Sequence, residues 1–337
     1  MRAISSKKVH ENRELDKAIK DINTKIDATK VEIRKILIGQ EEVLNSLFEA
    51  ILANGHVLVE GIPGTGKTLL VRTLSKVSGS MFSRIQFTPD LLPTDILGIT
   101  TYEEGKGFYT VKGPIFSNFV LADEINRSPP KVQSALLEGM QERQVTIGKE
   151  TFKLPHPFMV MATQNPLEQL GTYKLPEAQV DRFLYKIIVK YPSPEEELKI
   201  LNTNMTTHKF DDFNLLPKLS PADIIHAQEI VKKVYSDTKI EKYIIRIVDA
   251  TRYPQKYNVE TGKFIEYGAS PRSSISLFIA SKARAVMHKR SYVTQQDVKE
   301  VARNVLRHRI LINFEGEAEN ITSDMIVDEL LKKVPIL

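Results

Sequence analysis

The 337-residue chain has no cysteine and no tryptophan. Without cysteine, disulfides and thiol-ligated metals are excluded, and a cytoplasmic setting is the expectation. No run of about 18 apolar residues occurs, so no membrane insertion is expected. Met1 to Val9 is basic but leads into a charged stretch rather than an apolar one, which speaks against a secretory signal. An excess of either charge is also missing: 47 Lys and Arg face 42 Asp and Glu, a net of +5 with the signs interspersed. A nucleic-acid surface would concentrate its basic residues, so nucleic acid is not the expected partner. What is present, 42% hydrophobic and 26% charged residues, is ordinary globular composition. Its length suits two or three domains.

The first thirty residues differ from the rest. Leu15, Ile19, Ile22, Ile26, Thr29, Ile33 and Ile36 recur in steps of four and three on a charged helix. Such a stripe either packs on the adjacent domain or pairs with a second copy as a coiled coil. Residues 41–53 form an amphipathic helix ended by Asn54-Gly55. A short strand over 56–60 follows, then a Gly-rich loop and a helix over 69–77. Strands are expected at 84–87, 118–122 and 158–162, a helix from Ser128-Pro129-Pro130 to about Gly139, and a hairpin over 144–154. Segment 88–113, with several Gly and Pro, is expected to be a local excursion. This alternation implies an α/β core with a mostly parallel sheet. After Tyr191-Pro192 the pattern becomes helical, with helix starts at Ser193-Pro194-Glu195-Glu196, Ser220-Pro221-Ala222-Asp223 and Thr294-Gln295-Gln296-Asp297. The expected division is an N-terminal helical extension over 1–30, an α/β nucleotide-binding core over 31–192 and a helical lid over 193–337, interrupted by a loop from Tyr253 to Gly268.

The loop Gly61-Ile62-Pro63-Gly64-Thr65-Gly66-Lys67-Thr68 satisfies the phosphate-loop pattern, and an apolar strand precedes it while a helix follows. Gly64 and Gly66 permit the tight turn that aims N–H groups at phosphates, and the helix N-terminus adds a favourable field. Lys67 is placed to reach the β and γ phosphates, and the Thr68 hydroxyl to ligate Mg2+. A second element is Phe119-Val120-Leu121-Ala122-Asp123-Glu124, an apolar strand ending in two carboxylates. Asp123 suits the metal, through water, and Glu124 suits the general base that polarises the attacking water. The third element is Thr163-Gln164-Asn165-Pro166. Asn165 either orients that water or merely opens a turn.

Taken with Gly39-Gln40-Glu41, Ile85 through Asp95, Gly105 through Pro114, Ala122 through Arg127, Gln133 through Glu138, Leu175 through Phe183 and Gly268-Ala269-Ser270-Pro271-Arg272, these motifs resemble the MoxR family of AAA+ ATPases over about residues 33–320. The resemblance implies a P-loop NTPase core with a parallel sheet and an all-helical lid. It implies ATP and Mg2+ as cofactors, with the nucleotide lying beneath the lid and Ile38, Gly39, Gln40 and Leu69 on its base side. Asn165 resembles the first sensor, Arg182 the arginine finger offered to a neighbouring subunit, and Arg272 the second sensor. Arg127 competes with Arg182 for the finger role or restrains Glu124. Segment 88–113 resembles the helix-2 insert, and hairpin 144–155 the insert before the first sensor. Implied partners are further copies in a hexameric ring, a von Willebrand A domain protein and a protein client, with hydrolysis shifting lid against core to remodel or mature protein complexes. The alternatives are a DNA-associated AAA+ motor and a nucleotide-gated scaffold. The cluster Arg303, Arg307, His308 and Arg309 is the local feature favouring DNA, and a solvated helix face explains it equally. Glu124 and Arg182 argue against the scaffold.

Overall fold

The computed structural model describes residues 2–61, 64, 66–105, 107–165, 172–203 and 210–336, with side chains from Arg13 onward except Thr203. The chain opens with α1 (Arg2–Arg34) and α2 (Glu41–Leu52), then β1 (Val57–Gly61) and α3 (Lys67–Val77). Next come β2 (Phe82–Gln86), α4 (Pro93–Leu97), β3 (Gly98–Glu103), β4 (Gly107–Lys112), β5 (Phe119–Asp123) and α5 (Pro130–Glu142). The core ends with β6 (Gln144–Ile147), β7 (Glu150–Lys153), β8 (Met159–Gln164), α6 (Glu177–Val180) and β9 (Tyr185–Val189). The remainder is α7 (Pro194–Thr203), α8 (Pro221–Lys233), α9 (Thr238–Arg252), β10 (Ile265–Tyr267), α10 (Pro271–Met287), α11 (Gln295–Leu306), β11 (Leu311–Ile312), α12 (Phe314–Ala318) and α13 (Ser323–Lys333).

Among the described residues, one five-stranded parallel sheet runs in the order β2-β5-β8-β1-β9. Its central strands are apolar on both faces, as a sheet covered on both sides requires. Val57, Val59, Phe119, Leu121, Met159 and Met161 point into one hydrophobic cluster, while Leu58, Val120, Ala122, Val160 and Ala162 point into the other. The second cluster is closed by α5. The first is shared by α1, α2, α3 and the helices after 193. One element differs from the expected pattern: β9 is a fifth strand of the sheet. The excursion over 88–113 is a helical turn followed by the antiparallel hairpin β3–β4. The hairpin at 144–154 is present as β6–β7. We propose the domain division at 192/193 because β9 ends at Val189 and α7 starts at Pro194.

The three expected helix starts form. Ser220 and Asp223 exchange hydrogen bonds, as do Thr294 and Asp297, and Ser193 and Glu196. Among the described residues after 193, the region is helical apart from the short ribbon β10–β11.

The heptad stripe of α1 is spent within its own chain. Ile19, Ile22, Ile26, Ile33 and Ile36 lie inside the cluster shared with core and lid. The helix touches α3 on one side and α8 and α10 on the other. The Asn23 amide donates to the Val286 carbonyl of α10 at 2.7 Å, and Lys25 pairs with Asp223 of α8 at 2.5 Å. The coiled-coil alternative is therefore corrected for the described side chains, because the seam is already buried. It also follows that residues 13–30 are not a separate packing unit. Ile26→Ala is expected to cost about 2–5 kcal/mol of stability, read as a lower urea midpoint at unchanged oligomeric state. A changed oligomeric state at an unchanged midpoint would restore the self-association reading.

Candidate active site

Parallel pairing puts the C-terminal ends of β1, β8 and β5 side by side. Val59 pairs with Thr163 across β1–β8, and Ala122 with Ala162 across β5–β8. The phosphate loop, Asn165 and the carboxylates Asp123 and Glu124 thereby leave the sheet from one edge, where open α/β sheets bind ligands. Of the loop, Pro63 and Thr65 lie outside the described residues. Gly64 and Gly66 have φ of +82° and +76°, and nothing lies within 4 Å of a Cβ built on either. Both the left-handed backbone and the open space suit a close-approaching phosphate. Gly66 starts α3 with no side-chain cap, which leaves the helix N-terminus to an anion.

Lys67 folds back across the loop, its Nζ donating to the Gly61 carbonyl at 2.5 Å. Burial holds its ammonium below the ordinary lysine range, and Asp123 and Glu124 oppose that shift. Thr68 follows at the second position of α3. The Thr163 hydroxyl joins the two strands. It donates to Asp123 Oδ1 at 2.6 Å and accepts from the Glu124 N–H at 2.8 Å. Glu124 has φ of +57°, in the left-handed region, so its side chain leaves the strand direction set by Asp123.

Two residues of β2 complete the constellation. Arg84 donates to Asp123 Oδ2 from Nη2 at 2.7 Å and Nε at 3.1 Å. Gln86 Nε2 donates to Glu124 Oε2 at 2.8 Å, and Arg127 Nη1 reaches the same oxygen at 3.1 Å. Arg127 therefore restrains Glu124. Sequence reasoning missed Thr163, Arg84 and Gln86. The one available signal was the two-residue spacing of Arg84 and Gln86, which puts both on one face of β2.

A cavity adjoins the loop. Ile36, Ile38, Gln40, Leu69, Pro192 and Ile200 line a mostly apolar cavity of about 190 Å3 that opens onto Gly64 and Gly66. Gly39, with φ of +72°, lies against Glu196 of α7 instead of lining it. Asn165 is buried at the end of β8. Thr68 and Asp123 fit a hard divalent cation that keeps several waters and takes the rest of its shell from substrate phosphates. Among the described residues no cluster of three or more His, Asp or Glu competes for it.

Arg182 and Arg272 are elsewhere. Leu184 donates its N–H to the His56 carbonyl, just before β1 begins, and Arg182 lies two residues further out. Gly61 lies at the other end of β1, on the order of 17 Å away along the strands. Arg182 Nη1 donates to the Leu137 carbonyl of α5 at 3.0 Å. Arg272, at the start of α10, stands 3.9 Å from Asp181. Arg272, which resembles the second sensor, has its side chain beside Asp181 and so accompanies Arg182, at the edge opposite the phosphate loop. The part of the lid that meets the cavity beside Gly64 and Gly66 is α7, through Ile200.

The basic cluster near 303–309 is likewise no open stripe. Arg303 pairs with Asp328 at 2.6 Å, Arg307 with Asp324 at 2.9 Å, and Arg309 with Asp181 at 2.7 Å. His308 is buried, and burial beside Arg309 holds it well below the ordinary histidine range. The DNA alternative thus loses the feature that suggested it.

A phosphate loop, a carboxylate pair and a sensor strand at one edge of a parallel sheet, with a helical lid behind it, define a nucleotide-hydrolysing AAA-type core. Residues 56–185 match the ATPase family associated with various cellular activities (AAA), and residues 260–330 match the AAA lid domain. The chain is 46% identical over 308 residues to Chaperone MoxR1 of Mycobacterium tuberculosis, covering 90% of this chain and 80% of that protein. It is 43% identical to protein YeaC of Bacillus subtilis, covering 94% and 97%. A crystal structure of a Cytophaga hutchinsonii protein classed with the ATPases superposes with a TM-score of 0.90 at 46% identity, over 97% of this chain and 99% of that one. The chain belongs to the MoxR family of AAA+ ATPases.

Arg84 occupies the Asp123 oxygen left over by Thr163, so it stands against a metal-bound water there. Arg84→Ala is expected to lower the magnesium concentration needed for half-maximal binding of a fluorescent ADP, by no more than about fivefold, because the pair is half exposed and worth at most ~1 kcal/mol. A higher magnesium requirement in the variant would show instead that Arg84 helps to place the ion.

Proposed function

We propose that the chain hydrolyses ATP with magnesium at the junction between two copies of itself, and that a ring of such copies, a hexamer by resemblance, remodels or matures protein complexes. The observation that carries this is the separation of the two halves of the chemistry. Lys67, Thr68, Asp123, Glu124 and Asn165 belong to one edge of the sheet, and Arg182 and Arg272 to the other. An arginine that cannot span to its own phosphate loop is free to serve a neighbour's.

In this reading the base lies in the cavity lined by Ile38, Gln40 and Leu69, beside Gly39, and the phosphates lie over the loop Gly61 to Thr68, including Pro63 and Thr65. Lys67 leaves the Gly61 carbonyl for the β and γ phosphates. Thr68, and Asp123 through water, would hold Mg2+, which when bound would neutralise charge on those phosphates. Glu124 accepts a proton from the water whose oxygen bonds to the γ phosphorus, while the bond to the β–γ bridging oxygen breaks, giving ADP and phosphate. Asn165 orients that water. Arg182 and Arg272 of the neighbour stabilise charge on the transferring group. Gln86 and Arg127 both donate to Glu124 Oε2 and so fix how that carboxylate is turned.

The work is expected at the inserts. Tyr102 and Phe108 of β3–β4 stack edge to face with centroids 5.3 Å apart, and Phe108 is 79% exposed. The turn of the second hairpin at Gly148 packs against Thr100 of the first, so the two move together. An exposed aromatic pair on a hairpin suits a protein client, consistent with the chaperone name carried by the Mycobacterium relative. A von Willebrand A domain partner follows from the family resemblance.

Magnesium-dependent turnover is expected to fall about 10²–10⁴-fold in Glu124→Gln with ATP binding retained. Equal turnover would remove Glu124 from the chemistry. Arg182→Ala should bind ATP and assemble, yet lose hydrolysis. Full-rate hydrolysis by a dilute, strictly monomeric wild-type sample would overturn the shared site. Affinity capture on Glu124→Gln with ATP should retain the client, and Phe108→Ala should release it while leaving basal turnover intact.

A further inference from the structure

Beside Arg182 lies a charge cluster that the chemistry above does not use. Asp181, on the core, accepts from Arg309, which lies just beyond α11 of the lid: Nε to Oδ1 at 2.7 Å. The same guanidinium donates to the backbone carbonyls of Asp181 at 3.0 Å, Phe183 at 2.6 Å and Leu184 at 3.2 Å. Those carbonyls bracket Arg182 in the chain. The Arg309 side chain is 1% exposed, so its charge depends on Asp181 for neutralisation. The other Asp181 oxygen, Oδ2, accepts from the Ser270 hydroxyl at 2.9 Å and stands 3.9 Å from Arg272 Nη1.

Ser270 is the more telling partner. It occupies the N-cap of α10, where a serine oxygen ordinarily accepts from the first-turn N–H groups. Here it makes no such bond, and its hydroxyl turns to Asp181 instead. The helix forgoes a cap so that the start of α10, and with it Arg272, is fixed to the residue preceding Arg182. We propose that Asp181, Arg309 and Ser270 are positioning residues that set Arg182 and Arg272 as one rigid pair for the neighbouring subunit's nucleotide. The carboxylate is the shared counter-ion of both lid arginines. Arg309 is the buried splint that fixes the backbone turn. This rests on the reading of Arg182 as an arginine offered in trans.

Mixed assemblies test it. Donor subunits carry Glu124→Gln, which silences their own site but leaves their arginines. Acceptor subunits carry Arg182→Ala with Arg272→Ala, which leaves their own site competent but offers no arginine. Hydrolysis then arises only where an acceptor site faces a donor's arginine edge. With Asp181→Asn or Arg309→Lys added to the donor, kcat should fall on the order of 10–100-fold, at unchanged KM for ATP. Lysine keeps the charge but cannot fork to carboxylate and carbonyls together. The same changes added to the acceptor should leave kcat unaltered. Ser270→Ala removes a single hydroxyl at the surface of the cluster, so it guards against loss of folding and should act in the same direction from the donor alone. Equal loss from either position would overturn the proposal and leave the cluster a purely structural joint. An inactive parent mixture, before any change to the cluster, would overturn the trans reading itself and this proposal with it.

Discussion

In a parallel sheet every strand begins at one edge and ends at the other, and the division of labour in this chain follows from that constraint. β1, β8 and β5 end together, so the loop that cradles phosphate, the sensor asparagine and the two carboxylates are neighbours although about a hundred residues separate the first from the last in the sequence. β9 begins at the opposite edge and carries Arg182 there. Side chains at the two edges cannot meet across the length of a strand. In the proposed reading, the site would be completed only where copies stand beside one another.

A second consequence of the same pairing is that both carboxylates receive donors from neighbouring strands. The Thr163 hydroxyl spans from Asp123 Oδ1 to the Glu124 backbone, Arg84 holds Asp123 Oδ2, and Gln86 and Arg127 share Glu124 Oε2.

Much of this was legible in the sequence where local chemistry dictates local structure. Gly64 and Gly66 before a helix, an apolar run ending in Asp123-Glu124, and the capping pairs at Ser220 and Thr294 each announce themselves within a few residues. What stayed hidden depends on long-range register. Thr163 is ordinary until β8 lies beside β5, and Arg84 is a surface arginine until β2 lies on the other side. The β3–β4 hairpin escaped notice because its alternating residues are exposed on both faces, so no apolar period marks it. Arg309 misled most. A run of basic residues reads as a solvated surface, and its burial depends on Asp181, 128 residues away. The heptad stripe on α1 was ambiguous for a related reason: spacing shows that a seam exists, not which surface fills it.

The way α1 fills that seam bears on where motion is possible. One continuous run of isoleucines is pressed against α3 of the core and against α8 and α10 beyond it, and the buried Glu49 of α2 adds ion pairing to Arg284 and a hydrogen bond from Tyr185. A helix laid over both halves acts as a splint. Swinging the lid away from the core would strip apolar surface from α1 along much of its length. The packing of α1 thus ties lid and core into one block. In the proposed assembly of such blocks, the seam between subunits would be the compliant element.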